Sequence, residues 1–215
     1  MPVPLKIDFV SDISCPWCVI GLRALEQAIA RLDGQVAVDL HFQPFELNPQ
    51  MPPGGQDIDE HLQQKYGSTP EQAALVRERI RAAGAALGFT FSLQTRSRIY
   101  NTFDAHRLLH WAALEGRQLA LKQALFQAYF TDGEDPSSHQ VLIRAAARVG
   151  LDATRAARIL DSNEFAAVVR KEQAFFQDQG IHAVPAVIIN NQHLIQGGQP
   201  VEVFEQALRQ IAGLA

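Results

Sequence analysis

The spacing of apolar residues changes character along the chain. Residues 5–10 form a short apolar run typical of a buried strand, and apolar side chains then recur at three- and four-residue spacing from residue 19 to residue 32, which predicts an amphipathic helix. Residues 36–42 alternate apolar and polar side chains and predict a second strand. The chain therefore begins as strand, helix, strand.

The middle of the chain keeps the helical period almost throughout, from about residue 57 to about residue 179. The clearest helix start is Thr69-Pro70-Glu71, with proline at the first helical position and an acid in the first turn. Further helices are predicted over residues 101–115, 119–130, 139–149, 152–160 and 164–179.

Strand signals return near the C-terminus. Residues 186–189 and 193–195 flank Asn190-Asn191-Gln192, which predicts a hairpin, and a helix with one apolar face follows Pro200. Two early strands alone could not bury both of their faces. The order of elements therefore predicts a small α/β core that receives the long helical block as an insertion.

Length and composition suit this arrangement. The 215 residues are 47% hydrophobic and 20% charged, which is ordinary for a globular protein with a sizeable core. We predict that residues 1–48 and 164–215 form the core domain and that residues 49–163 form the inserted helical domain. A net charge of −4 without a basic cluster disfavours a nucleic-acid partner. Neither a secretory signal nor a membrane-length apolar run is present, so we expect a cytoplasmic protein with no membrane partner.

Both cysteines of the chain lie where the first strand meets the first helix, in Ser14-Cys15-Pro16-Trp17-Cys18. A thiol at a helix N-terminus is stabilised as its thiolate by unpaired N–H groups and by the helix dipole. We expect Cys15, at the exposed end, to be the attacking nucleophile and Cys18, one turn into the helix, to be the shielded resolving thiol. In the cytosol such a pair predicts a dithiol redox site.

A metal site is the main alternative for these cysteines. A structural zinc ion takes four ligands, and the chain has no second cysteine pair. His106 and His110 are four residues apart on one predicted helix, but no Glu follows His106 as the zinc-protease motif requires. We therefore predict no metal.

Two neighbours of the cysteines leave alternatives open. Asp12 could accept a proton from Cys18 through water, cap the helix, or face solvent. Trp17 could form an exposed apolar lip for substrate or pack sideways on the helical block.

The segment before the hairpin contains Val184-Pro185, with proline at the start of a strand. A cis bond there would turn the chain sharply and leave the backbone of Val184 free to pair with an extended peptide. Local sequence alone favours trans, because only about 5–6% of X-Pro bonds in folded proteins are cis.

The chain resembles the DsbA branch of the thioredoxin-fold proteins, and within it the cytosolic subfamily typified by FrnE. The matching segments are Ser11-Asp12-Ile13-Ser14-Cys15-Pro16-Trp17-Cys18 with Gly21, Asn101-Thr102-Phe103-Asp104-Ala105-His106-Arg107-Leu108, Val184-Pro185-Ala186, and Gly197-Gly198-Gln199-Pro200. The resemblance implies an α/β thioredoxin fold with a large all-helical insertion, a cis bond before Pro185, and thiol–disulfide exchange at Cys15.

This resemblance predicts a protein-disulfide oxidoreductase or isomerase without a cofactor, recharged by cellular thiols. Its substrates would be thiol- or disulfide-containing proteins, or small disulfides, bound by Pro16, Trp17, Val184 and Pro185. Glutathione is a candidate co-substrate.

Two alternatives remain. The related glutathione-dependent isomerases and kappa-class transferases carry Ser at the position of Cys15; in such an enzyme Arg96 and Arg98 could bind the glutathione carboxylate. A redox-responsive binding protein, whose cysteine pair only switches shape, is the third hypothesis.

Trp17, which immediately precedes Cys18, predicts the reduction potential of the cysteine pair. In DsbA, with a potential near −120 mV, a histidine at that position stabilises the reduced form, as the resemblance implies. Trp17 offers no positive charge, so we expect a more reducing couple than that of DsbA. Equilibration against glutathione buffers measures it, and a potential as oxidising as that of DsbA would contradict the argument.

Overall fold

The computed structural model describes residues 1–92 and 97–214. From the N-terminus the elements are β1 (Val3–Ser11), α1 (Pro16–Arg31), β2 (Val36–Pro44), β3 (Gln56–Asp57), α2 (Ile58–Tyr66), α3 (Pro70–Ala86), β4 (Arg98–Ile99), α4 (Phe103–Leu114), α5 (Gln118–Phe126), a π-helical turn (Gln127–Thr131), α6 (His139–Arg148), α7 (Ala153–Leu160), α8 (Ala166–Asp178), β5 (Ala186–Ile189), β6 (His193–Gln196) and α9 (Val201–Ile211).

A mixed sheet with the strand order β2-β1-β5-β6 forms the core. The apolar strand β1 pairs in parallel with β2 and antiparallel with β5, and β5 pairs antiparallel with β6. The β5–β6 turn holds Asn190 and Asn191 at φ 52° and 57°, left-handed values that asparagine tolerates better than most residues. The predicted hairpin is therefore confirmed.

Both faces of β1 are covered. Phe9 belongs to the main core, which joins residues of α1, α4, α5 and α9. Val10 packs in a smaller cluster with Phe45, Phe176 and Ile181. Since neighbouring residues of a strand point to opposite faces, the two clusters lie on opposite sides of the sheet.

The chain between β2 and β5 is mainly helical, as the sequence predicts, but it also contains a small sheet. Gln56–Asp57 pairs antiparallel with Arg98–Ile99, and strands of two residues are too short to show a period. Thr69 begins α3 with a capping box. The α/β core with a long helical segment is thus confirmed, whereas the domain boundaries at residues 48 and 164 stay a prediction.

The helix predicted from residue 101 starts two residues later in the structure. The helix expected from Asn101 begins at Phe103, because the Asn101 side chain accepts a hydrogen bond from the Phe103 N–H and lies outside the helix. Among the described residues, none of the helices is long and apolar enough to cross a bilayer.

The main core makes a direct stability prediction. Leu25 in α1 is 0% exposed, whereas Leu75 in α3 is 69% exposed. Leu25→Ala should lower the free energy of unfolding by about 2–5 kcal/mol, because it removes buried contacts and leaves a cavity. Leu75→Ala should change it by less than about 0.5 kcal/mol. Urea unfolding of both variants measures the difference, and similar losses would show that α1 does not pack as described.

Candidate functional site

The two cysteines lie at the N-terminus of α1. Cys15 is the N-cap residue and Pro16 follows at the first helical position, where its missing N–H costs nothing. The Cys18 N–H donates to the Cys15 carbonyl at 3.1 Å. Both thiols are free. Cys15 is only 4% exposed and Cys18 is 0% exposed, so the expectation of an exposed Cys15 is wrong for this state, although Cys15 remains the more accessible of the two.

The segment before β5 meets the dithiol. The Val184–Pro185 peptide bond is cis, and the Cys15 Sγ–H donates to the Val184 carbonyl oxygen at 3.6 Å. The cis bond and its position beside Cys15 are therefore as predicted, although 169 residues separate the two partners. A substrate sulfur bonded to Cys15 would lie next to the Val184 backbone.

Two glycines allow this close approach. A Cβ on Gly21 would lie 3.1 Å from the Pro185 Cγ and 3.4 Å from the Gly198 Cα, and a Cβ on Gly198 would lie 3.0 Å from the Trp17 carbonyl oxygen. The distances of 3.1 and 3.0 Å are shorter than most contacts of a real Cβ atom. Helix α1, the cis-proline and the turn after β6 therefore approach one another closely at two positions that have no side chain.

Trp17 and Pro16 are both half-buried. The Trp17 ring packs against the main core and lies beside Gly198, so it is not a fully exposed lip.

Asp12 is buried beneath the dithiol loop, at 1% exposed, so the solvent-facing alternative is wrong. Its carboxylate accepts hydrogen bonds from the Ser14 N–H, the Ser14 hydroxyl and the Leu47 N–H at 3.2, 2.9 and 2.7 Å. His106 Nε2 lies 3.6 Å away, an ion-pair distance beyond hydrogen-bond length. The N-cap of α1 receives no side-chain hydrogen bond, so Asp12 is not its cap.

These contacts set the charge of Asp12. Burial alone would raise its pKa, but the His106 ring and the Leu47 N–H outweigh burial and lower the pKa to about 2. A carboxylate this acidic is a weak proton acceptor at neutral pH. The geometry therefore favours Asp12 as the group that holds residues 12–14 against Leu47.

Cys18 has a different environment. Burial raises its pKa well above the usual value, and the hydrogen bond and charge of Cys15 raise it further, whereas the charge of Lys122 lowers it. Lys122 lies on α5 and is 0% exposed. Sequence analysis missed it, although it occupies the apolar face of the helix with Leu125 and Phe126, three and four residues further on.

The C-terminal end of α2 contacts the segment that follows β2. Tyr66 is 60% exposed, and partial burial and then the charge of Cys15 raise its pKa. Lys65 Nζ donates to the Leu47 carbonyl at 2.8 Å and to Asn48 Oδ1 at 2.7 Å. No sequence motif marks this contact.

The other candidate residues have local partners. His110 lies 3.3 Å from Glu172. Arg98 donates to the carbonyls of Gly54 and Gly55 at 2.8 and 2.9 Å, whereas Arg96 lies outside the described residues. Within residues 1–92 and 97–214, no group of three or more His, Cys, Asp or Glu side chains could hold a metal ion.

With this geometry the chain falls among the thioredoxin-fold thiol–disulfide oxidoreductases. Within that class it belongs to the DSBA-like thioredoxin domain family, whose model matches residues 6–209. The predicted thioredoxin fold with a helical insertion and the predicted oxidoreductase class are thus confirmed.

Known proteins similar to this chain cover nearly all of it. The uncharacterized protein YwbO of Bacillus subtilis (strain 168) is 26% identical over 209 residues, 97% of this chain and 96% of YwbO. A probable DsbA oxidoreductase from Streptomyces coelicolor, SCO1869, is 33% identical with a TM-score of 0.90, over 97% of this chain and 90% of that one. The cytosolic disulfide reductase DsbM from Pseudomonas aeruginosa, solved with GSH, shares the fold at 17% identity and a TM-score of 0.67, over 97% of this chain and 100% of that one.

The low pKa of Asp12 predicts how stability depends on pH. An aspartate of pKa about 2, against about 3.9 when unfolded, stabilises the fold above about pH 4, and this contribution disappears as the pH falls through about 2. Asp12→Asn should therefore cost about 2 kcal/mol at pH 7, and the gap to wild type should close between about pH 4 and 2.

The exposed Asp178 at the end of α8 provides the control. Asp178→Asn should stay within about 0.5 kcal/mol of wild type. Urea unfolding across the acid range measures both variants. A gap between Asp12→Asn and wild type that does not change with pH would show that the carboxylate charge contributes nothing.

Proposed function

We propose that this protein exchanges disulfides with protein substrates through a mixed disulfide on Cys15, which Cys18 resolves. The observation that supports this most directly is the reduced Cys15 thiol at a helix N-terminus, 3.6 Å from the Val184 carbonyl oxygen at the cis-proline. Cys18 lies one turn behind it and is closed to solvent. Nucleophile, resolving thiol and backbone are therefore next to one another.

The exchange proceeds in two displacements. In the reductive direction the Cys15 thiolate attacks a substrate disulfide, forms a Cys15–substrate bond and releases one substrate thiolate. The Cys18 thiolate then attacks the Cys15 sulfur, the Cys15–Cys18 disulfide forms, and the second substrate thiolate leaves. The same steps run backwards in the oxidative direction. The reduction potential of the Cys15–Cys18 pair therefore determines whether the protein acts as a reductase, an isomerase or an oxidase.

Substrate docking is assigned to the surface around Cys15. The backbone of Val184 and Pro185 would pair with an extended segment of the substrate, while the half-buried Pro16 and Trp17 contribute apolar contacts. We add Tyr66 to this set, because it is exposed and, after partial burial, the charge of Cys15 contributes to its raised pKa. Aromatic side chains of this kind offer apolar area with a polar tip.

The chemistry requires no cofactor beyond the cysteine pair, since thiols of the cell can restore its redox state by disulfide exchange. A cytoplasmic setting and a FrnE-like relationship are part of the proposal. The similarity of fold to DsbM, a cytosolic disulfide reductase solved with GSH, supports glutathione as a co-substrate or reductant.

The glutathione-dependent isomerases and transferases remain the alternative. The presence of Cys15 disfavours this class, because the related isomerases and transferases carry Ser at the matching position.

The difference in burial between the two cysteines predicts their roles. Because burial raises the pKa of Cys18, Cys15 should be alkylated well before Cys18 at mildly acidic pH. Cys15→Ser should reduce insulin reduction to the uncatalysed rate, and Cys18→Ala should accumulate mixed disulfides that mass spectrometry identifies. Mapping iodoacetamide adducts over time measures the order of alkylation.

Two outcomes would contradict the proposal. Equal alkylation rates for the two thiols would remove the distinction between nucleophile and resolving thiol. An active Cys15→Ser variant, or one that binds glutathione and isomerises a small substrate, would favour the alternative class.

A further inference from the structure

Lys122 is buried, and it forms no salt bridge with any residue of the segments 1–92 and 97–214. Its side chain is 0% exposed, and within the described part of the chain its Nζ has no hydrogen-bond partner. The rings of Phe42 and Phe126 lie 5.7 and 5.0 Å from Nζ. Their cation–π attraction offsets part of the free energy that the ammonium group loses when it is removed from water. A buried charge of this kind destabilises a fold relative to an apolar residue of similar volume, so packing alone does not explain a lysine at this position.

A cavity of about 140 Å³ borders Lys122 between β2, α4, α5 and α8. Its polar and titratable lining residues are His41, Gln43, His106, His110, Gln118, Lys122 and Glu172. A cavity of this volume and polarity has room for several water molecules. His106 Nε2, like Lys122 Nζ, is buried without a hydrogen-bond partner among the described residues.

Leu121, Leu125 and Phe126, which share α5 with Lys122, belong to the same buried cluster as Cys18. The charges of Cys18, Asp12 and Cys15 raise the pKa of Lys122, but burial outweighs them and lowers it to about 8, so the ammonium form prevails at neutral pH. Asp12 lowers the pKa of Cys18 only through a backbone hydrogen bond. Lys122 is the cation whose charge lowers the pKa of Cys18.

We propose that Lys122 is the counter-ion of the Cys18 thiolate in the resolving step. In this step, which rests on the function proposed above, Cys18 gives its proton to solvent and its thiolate attacks the Cys15 sulfur. The Cys15–Cys18 bond forms as the Cys15–substrate bond breaks, and the electron pair leaves with the substrate sulfur. Lys122 acts through Cys18 and is therefore a positioning residue with an electrostatic role.

A two-phase reaction with 5,5′-dithiobis(2-nitrobenzoate) isolates this step. Attack by Cys15 releases the first coloured thiolate, and attack by Cys18 on the mixed disulfide releases the second. Lys122→Met, which has similar volume, should leave the first phase within about twofold and slow the second about tenfold at pH 7, and the pH midpoint of the second phase should rise by about one unit.

Two variants control the interpretation. Lys122→Arg keeps a positive charge and should recover most of the second-phase rate, which a purely structural role would not predict. Lys171→Met makes the same chemical change at an exposed position of α8 and should behave as wild type. Circular dichroism and urea unfolding confirm folding, and Lys122→Gln replaces Lys122→Met if that variant does not fold.

The outcomes separate the two proposals. A second phase in folded Lys122→Met with the wild-type rate and pH midpoint would overturn the counter-ion role. A wild-type protein that does not reduce insulin would overturn the proposed function instead. Because His41, His106, His110 and Glu172 face Lys122 across the cavity, the pH profile of His106→Gln is recorded as well. A midpoint shift as large in His106→Gln as in Lys122→Met would assign the effect to the cavity histidine and also overturn the role of Lys122.

Discussion

The antiparallel pairing of β5 with β1 is the interaction on which the site depends. Val10 lies opposite Ala186 in this register, so the chain leaving β1 and the chain entering β5 meet at one end of the sheet. Cys15 follows the first strand by a short loop, and the cis-proline immediately precedes the second. A change of register by one residue would turn the side chains of β5 to the opposite face and would separate the thiol from Val184.

The parts of this structure that sequence could predict are those with a local signal. The apolar run before Cys15, the proline after it and the two asparagines of the hairpin each specify their own backbone. The strands β3 and β4 have no such signal, because they are two residues long and pair across the insertion. The electrostatic influence of Tyr66 in α2 and Lys122 in α5 on the dithiol arises from tertiary packing, so no motif near the cysteines could indicate them.

Asp12 and Lys122, the acid and the base buried near the dithiol, have different surroundings. Asp12 is surrounded by donors from Ser14 and Leu47, so its charge is compensated by the backbone that it orders. Lys122 has aromatic rings and a cavity instead. In a medium of low dielectric constant an uncompensated charge acts over a longer distance than a compensated one. The charge of Asp12 therefore holds the loop, whereas the less compensated charge of Lys122 is the one that we propose acts on Cys18.

Cys15 and Val184, whose backbone covers the thiol, lie far apart in the sequence. This separation has a consequence during synthesis of the chain. Val184 is made 169 residues after Cys15. At about 5–20 residues per second, the nascent chain carries an uncovered dithiol for roughly 10 to 30 s before β5 can join the sheet. During that interval the pair is as open to oxidants and to neighbouring thiols as any unfolded cysteine, and the completed sheet ends this exposure.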